Sequence, residues 1–110
     1  MVILLTSPAD NAQIQKASED LAGYVKFVVD LKRQVMIIGG LRHYLGEQLL
    51  LQDSSQQADL WGGGVDLESK EIDYESMINI RPPANSSREA LDPNIRAQMK
   101  AIVNKLFVKV

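Results

Sequence analysis

Apolar positions recur along the chain with two periods, and the changes from one period to the other mark the elements. Val2–Leu5 is an unbroken apolar run closed by Thr6-Ser7-Pro8, the pattern of a short strand running into a helix that Ser7 caps and proline begins. Over residues 8–22, Ile14, Ala17 and Leu21 fall at helical spacing, while Gln15, Lys16, Glu19 and Asp20 take other faces. Gly23 then suits a left-handed position after the helix. Tyr24–Asp30 and residues 34–39 are strand-like runs joined by the polar link Leu31-Lys32-Arg33, which reads as a β-hairpin. Val25, Phe27 and Val29 share one face of its first strand, with Lys26 and Asp30 directed elsewhere.

Leu41, Leu45, Leu49 and Leu50 suit a helix from about Tyr44 onward, although Gly46 weakens its middle. After Asp53-Ser54-Ser55, Ser55 can cap a short turn leading to Leu60-Trp61. Gly62-Gly63-Gly64 serves either a sharp bend or the close approach of another group, and the bend is the expected use. A short strand at 65–67 and a charged link at 68–71 precede residues 72–81, where apolar and polar side chains alternate as in a strand. Pro82-Pro83 ends it, and residues 84–88 form a polar loop. Asp92-Pro93 starts a last helix whose stripe is Ile95, Met99, Ile102, Val103 and Leu106. The order β-α-β-β-α-β-β-α predicts an α+β fold: a two-layer sandwich of about five mostly antiparallel strands, with three helices gathered on one face.

Length and composition narrow this further. The 110 residues fit a single domain spanning 1–110, and 45% hydrophobic with 24% charged residues is an ordinary globular balance. A formal charge of -2 gives no general attraction to phosphate backbones, so nucleic acid is not an expected partner. The absence of cysteine removes disulfides, zinc-thiolate sites and thiol nucleophiles, and suits a reducing compartment. The apolar run in residues 1–6 is too short for a signal peptide or a membrane span, and a cytoplasmic location without membrane association is expected.

A set of short motifs is spread along the chain: Val28-Val29-Asp30, Ile38-Gly39-Gly40, His43, Glu47 before Leu49-Leu50-Leu51, Ser55, Asp59-Leu60-Trp61-Gly62, Ile78-Asn79-Ile80-Arg81-Pro82 and Asp92-Pro93. Together they resemble an uncharacterised bacterial protein family, a domain of unknown function, from the first helix to the last. The most specific pieces are Asp-Leu-Trp-Gly and Ile-Asn-Ile-Arg-Pro. This chain departs from the family pattern at Leu45, where an acidic residue is usual, and near Gly64, where asparagine is usual.

Two groups of residues are candidates for chemistry. His43 and Glu47 are spaced i,i+4, which on a helix gives a base with an orienting carboxylate or two metal ligands without a third; a surface or capping histidine is the plainer alternative. With one histidine in the chain, a zinc-protease arrangement is excluded, and neither metal nor cofactor is expected. Glu75, Asn79 and Arg81 would line one face of the 72–81 strand. With Asn85, Ser86, Ser87 and Arg88 in the following loop, they suggest a pocket for a small anion, against ordinary cross-strand pairing. Trp61 can stack on a ligand or pack in the core. The leading expectation is a small regulatory or interaction module, with a protein partner or self-association through an edge strand or the polar sheet face. The alternative is a small hydrolase or anion-metabolite binder using Asn79 and Arg81 with His43 and Glu47.

Overall fold

The hairpin expected around residues 31–33 lies at the centre of the sheet. In a computed structural model, which describes residues 1–110, strands β2 (Tyr24–Asp30) and β3 (Val35–Gly39) pair antiparallel with Asp30 opposite Val35. Asp30 fixes the turn itself, since its Oδ1 accepts from the backbone N–H of Lys32 and of Arg33, each at 2.9 Å. Strand β1 (Val2–Leu5) pairs with β3; β4 (Leu60–Asp66) pairs with β2; and the two-residue β5 (Ile72–Asp73) closes the far edge. The order is β1-β3-β2-β4-β5, antiparallel throughout.

Three helices complete the fold: α1 (Asn11–Ser18), α2 (His43–Gln52) and α3 (Pro93–Leu106). Asp92 caps α3 as the sequence indicates, accepting from the Asn94 N–H at 2.8 Å. Helix α1 starts at Asp10 and not at Ser7. Asp10 and Gln13 form a capping box, while Ala9 is tied by its N–H to the Leu106 carbonyl at 2.8 Å.

The α+β class, the five-stranded antiparallel sheet, the three helices and their order agree with the sequence reading; the layering differs. Phe27, Val29, Met36, Ile38 and Val65 face Ala17 of α1 and Met99, Ile102, Val103 and Leu106 of α3 in the main core. Val28, Val35, Ile37 and Leu60 face the other way and enclose Leu50 of α2. Central strands that are apolar on both sides require cover on both sides, so one helix is placed opposite the other two. Gly46 permits the closeness of α2, because a Cβ there would stand 3.1 Å from the Cγ2 atoms of Ile37 and Val28.

Two further expectations give way. The triple glycine does not bend the chain; it lies inside extended β4, paired with β2 on one side, and clears space for neighbours. A Cβ at Gly62 would meet Ser76 Oγ at 2.8 Å and the His43 ring at 3.0 Å, and one at Gly64 would overlap the Tyr24 phenol. Residues 72–81 are not one strand. After Asp73 the chain leaves the sheet, and Ser76 Oγ accepts from the Ile78 N–H at 3.2 Å to cap a 3-10 turn over Met77–Asn79.

Candidate functional site

The polar residues of the Ile-Asn-Ile-Arg-Pro stretch face the protein's own backbone. Strand β4 outlasts its partner: Gly64 and Val65 pair with β5, whereas Gly62 lies past its end. The buried Asn79 amide supplies what a further strand would have supplied, accepting from the Gly62 N–H at 2.9 Å and donating to the Gly62 carbonyl at 3.0 Å. The same Nδ2 reaches the carbonyls of Tyr74 and Arg88. Arg81 donates to the carbonyls of Gln57, Ala58, Leu60 and Ile78, and its guanidinium lies 4.0 Å from the centre of the Trp61 ring. Burial draws its pKa down, opposed by the charge of Glu47.

Asn85 organises the loop from within. Its Nδ2 serves the carbonyls of Asn79, Ser87 and Glu89, and its Oδ1 accepts from the Leu91 N–H. The Ser87 hydroxyl accepts from the Glu89 N–H at 3.1 Å, and Trp61 is buried in the main core. The supposed ladder of Glu75, Asn79 and Arg81 therefore does not form. With the strand broken at Asp73, Asn79 turns inward, Arg81 folds under Leu60, and Glu75 pairs with Arg88 at 3.3 Å.

A different set of side chains converges at the start of α2. Lys26 rises from β2 on the α2 face, His43 begins α2, and Ser76 and Met77 come from the chain after β5. They are shared by two adjoining cavities. One, of about 250 Å³, also has Tyr24, Asp73, Glu75 and Arg88 on its walls. The other, of about 480 Å³, is completed by Arg42, Tyr44 and Ile78. The second lies within the range of about 300–1,000 Å³ usual for small-molecule sites. The glycines of β4 make the arrangement possible, since side chains at 62 and 64 would displace Ser76, His43 or Tyr24.

The charges in the two lobes differ in how far they are satisfied. In the smaller lobe, the Tyr24 hydroxyl donates to Asp73 Oδ2 at 2.5 Å, and Asp73 Oδ1 accepts from the Glu75 N–H. Burial, and then that bond to an acid, push the Tyr24 hydroxyl well above its ordinary pKa. Glu75 has Arg88. In the larger lobe neither Lys26 nor Arg42 has a carboxylate within 4.0 Å. No side chain caps the first turn of α2, whose first residues, His43 and Tyr44, line the same space.

His43 stands between the lobes. Its Nε2 lies 2.7 Å from the Gly63 carbonyl, which can only accept, so the proton of the neutral ring is on Nε2 and Nδ1 is left as an acceptor. Nδ1 has no partner in the protein and is not sealed from solvent. Burial holds the His43 pKa below its ordinary value, and the Lys26 charge adds to that, partly opposed by the Gly63 bond and Asp73. Glu47, four residues on, lines neither cavity, and no hydrogen bond joins it to His43. Sequence reasoning named His43 and missed Lys26, Arg42, Tyr24, Asp73 and Ser76. The available signal was the glycine run, which announces that something bulky lies against β4.

No helix is long and apolar enough to cross a membrane. No curated protein matches the chain, and no solved structure does. A family model described as "Protein of unknown function (DUF5674)" matches residues 3–106. That span takes in every strand and helix except the first residue of β1, and the chain belongs to this family.

Proposed function

We propose that the chain is a small regulatory domain that binds a low-molecular-weight ligand in the cleft between the start of α2 and the segment after β5. The observation that carries this reading is the convergence of Lys26, Arg42 and His43 with Tyr44, Met77 and Ile78 around one cavity of about 480 Å³. A few polar groups beside apolar walls are the usual make-up of a small-molecule site. A hydrolytic route through His43, Glu47, Asn79 and Arg81 lacks geometric support, because Asn79 and Arg81 are occupied by backbone groups and Glu47 stands apart from the cleft. A serine relay lacks it as well, since the His43 nitrogen next to Cδ2, on the side of Ser76, is bonded to Gly63.

The test is a chemical-shift screen of the ¹⁵N-labelled protein against a fragment library of mixed charge. Perturbations should gather on Lys26, Arg42, Tyr44, Ser76 and Met77. Their absence there, or a cluster elsewhere, overturns the reading.

Self-association is a second reading, favoured by exposed Leu45 and Leu49, four residues apart on α2, with exposed Leu41 just before the helix and an edge strand, β1, in the sheet. Sedimentation at rising concentration should then show a dimer that Leu45→Glu abolishes; a monomer throughout removes it. The setting we propose is the bacterial cytoplasm, in keeping with the family resemblance and with a chain that requires no disulfide.

A further inference from the structure

We infer that the ligand is a small organic anion of single charge with an apolar body, its carboxylate between Lys26 and Arg42 and its body against Tyr44, Met77 and Ile78. This rests on the ligand-binding reading above and adds the ligand's class. The protein leaves charges around the cleft unanswered. Of the three cations on the two lobes, Arg88 is paired with Glu75, while Lys26 and Arg42 have no carboxylate within 4.0 Å. Of the two acids, Asp73 accepts from the Tyr24 hydroxyl and the Glu75 N–H, and Glu75 is paired. The larger lobe thus has two unneutralised positive charges and no acid on its walls. An incoming anion completes this set, whereas a cation would face Lys26 and Arg42 directly.

The same geometry limits the anion's charge and shape. Asp73 and Glu75 line the adjoining lobe, so a second negative group extending toward them is opposed, which disfavours polyphosphates and dicarboxylates. Tyr44 and Met77 are exposed, at 49% and 66%, and stand on the wall of the cavity with Ile78. Exposed apolar side chains beside a cationic floor suit a ligand with one charged end and one apolar end. The planar fork of Arg42 favours a carboxylate, which it can hold through two parallel N–H donors. His43 lines the same space, so an anion that settles there favours the protonated ring.

Titration calorimetry with benzoate, benzyl alcohol and benzylamine, three probes of similar size and different charge, tests the inference on the full chain. Benzoate should bind more tightly than either of the others, and Lys26→Met and Arg42→Met should each weaken it about tenfold, the loss of one charge-assisted contact. Unchanged urea midpoints of both variants would show that the fold is intact. If benzyl alcohol or benzylamine binds the cleft as tightly as benzoate, or if neither substitution weakens benzoate, the anion assignment is wrong while the cleft remains a ligand site. If none of the probes binds and the fragment screen finds nothing at the cleft, the ligand-binding reading falls and this inference with it.

Discussion

Replacing Asn79 by alanine tests whether the Ile-Asn-Ile-Arg-Pro stretch supports the fold or waits for a ligand. The Asn79 side chain is wholly buried and closes the free edge of β4 at Gly62. Its Oδ1 accepts one N–H, and its Nδ2, with two protons, is shared among the carbonyls of Gly62, Tyr74 and Arg88. Truncation therefore removes about three full hydrogen bonds, at roughly 1 kcal/mol each, and leaves the Gly62 N–H without its partner. The expected loss is about 3–4 kcal/mol, a large fraction of the roughly 5–15 kcal/mol typical of a folded domain. Asn79→Asp should be at least as damaging, because it turns an acceptor toward carbonyls that need a donor. Ser87→Ala, which removes one hydroxyl acting on a neighbouring N–H, should cost no more than about 0.5 kcal/mol. Urea unfolding followed by Trp61 fluorescence measures all three. A loss below about 1 kcal/mol for Asn79→Ala would refute the reasoning and free that side chain for a binding role.

Three other outcomes follow from the same structure. Gly64→Ala must push the Tyr24 ring off β4 and break its bond to Asp73, for a loss of about 1–3 kcal/mol that should shrink sharply in a Tyr24→Ala background, as a double-mutant cycle in urea would show. Because burial lowers the His43 pKa below 6.5, the unfolded chain holds more protons than the folded one between that lowered value and about 6.5. The His43 contribution is thus complete above that window and is lost as pH falls through it, so urea midpoints at pH 7.5 and 5.5 should differ less in His43→Gln than in the natural chain. Arg81→Met removes a guanidinium that lies over Trp61 and serves four carbonyls, and should cost about 2–4 kcal/mol with a change in Trp61 emission in the folded state; unaltered emission counts against the stacking.

The parts of the fold that were legible in the sequence are those set by local chemistry. Asp92-Pro93 marks the start of α3 because cap and proline act within one turn, and the 31–33 link marks the hairpin because Asp30 closes it through its own side chain. Residues 72–81 misled because Ile72, Tyr74 and Ile78 are half-buried in the observed path just as they would be in a strand, so alternation did not separate the two. What decides the path is the Asn79 amide, whose partners lie as far as 17 residues away at Gly62. The layering was hidden in the same way: Val28 and Ile37 look like parts of continuous apolar runs until α2 is seen to cover them. The cleft was partly visible. His43 stood out as the only histidine, but Lys26 and Arg42 acquire meaning only because no carboxylate comes within 4.0 Å of either, which no spacing rule reports.

The central claim is that the cleft at the start of α2, and not the loop after Arg81, is where this chain meets its ligand. A crystal structure of the protein soaked with benzoate measures this directly. The carboxylate should lie between Lys26 and Arg42, with the ring against Tyr44, Met77 and Ile78. Benzoate held instead by Arg81, Asn85 and Ser87 would contradict it.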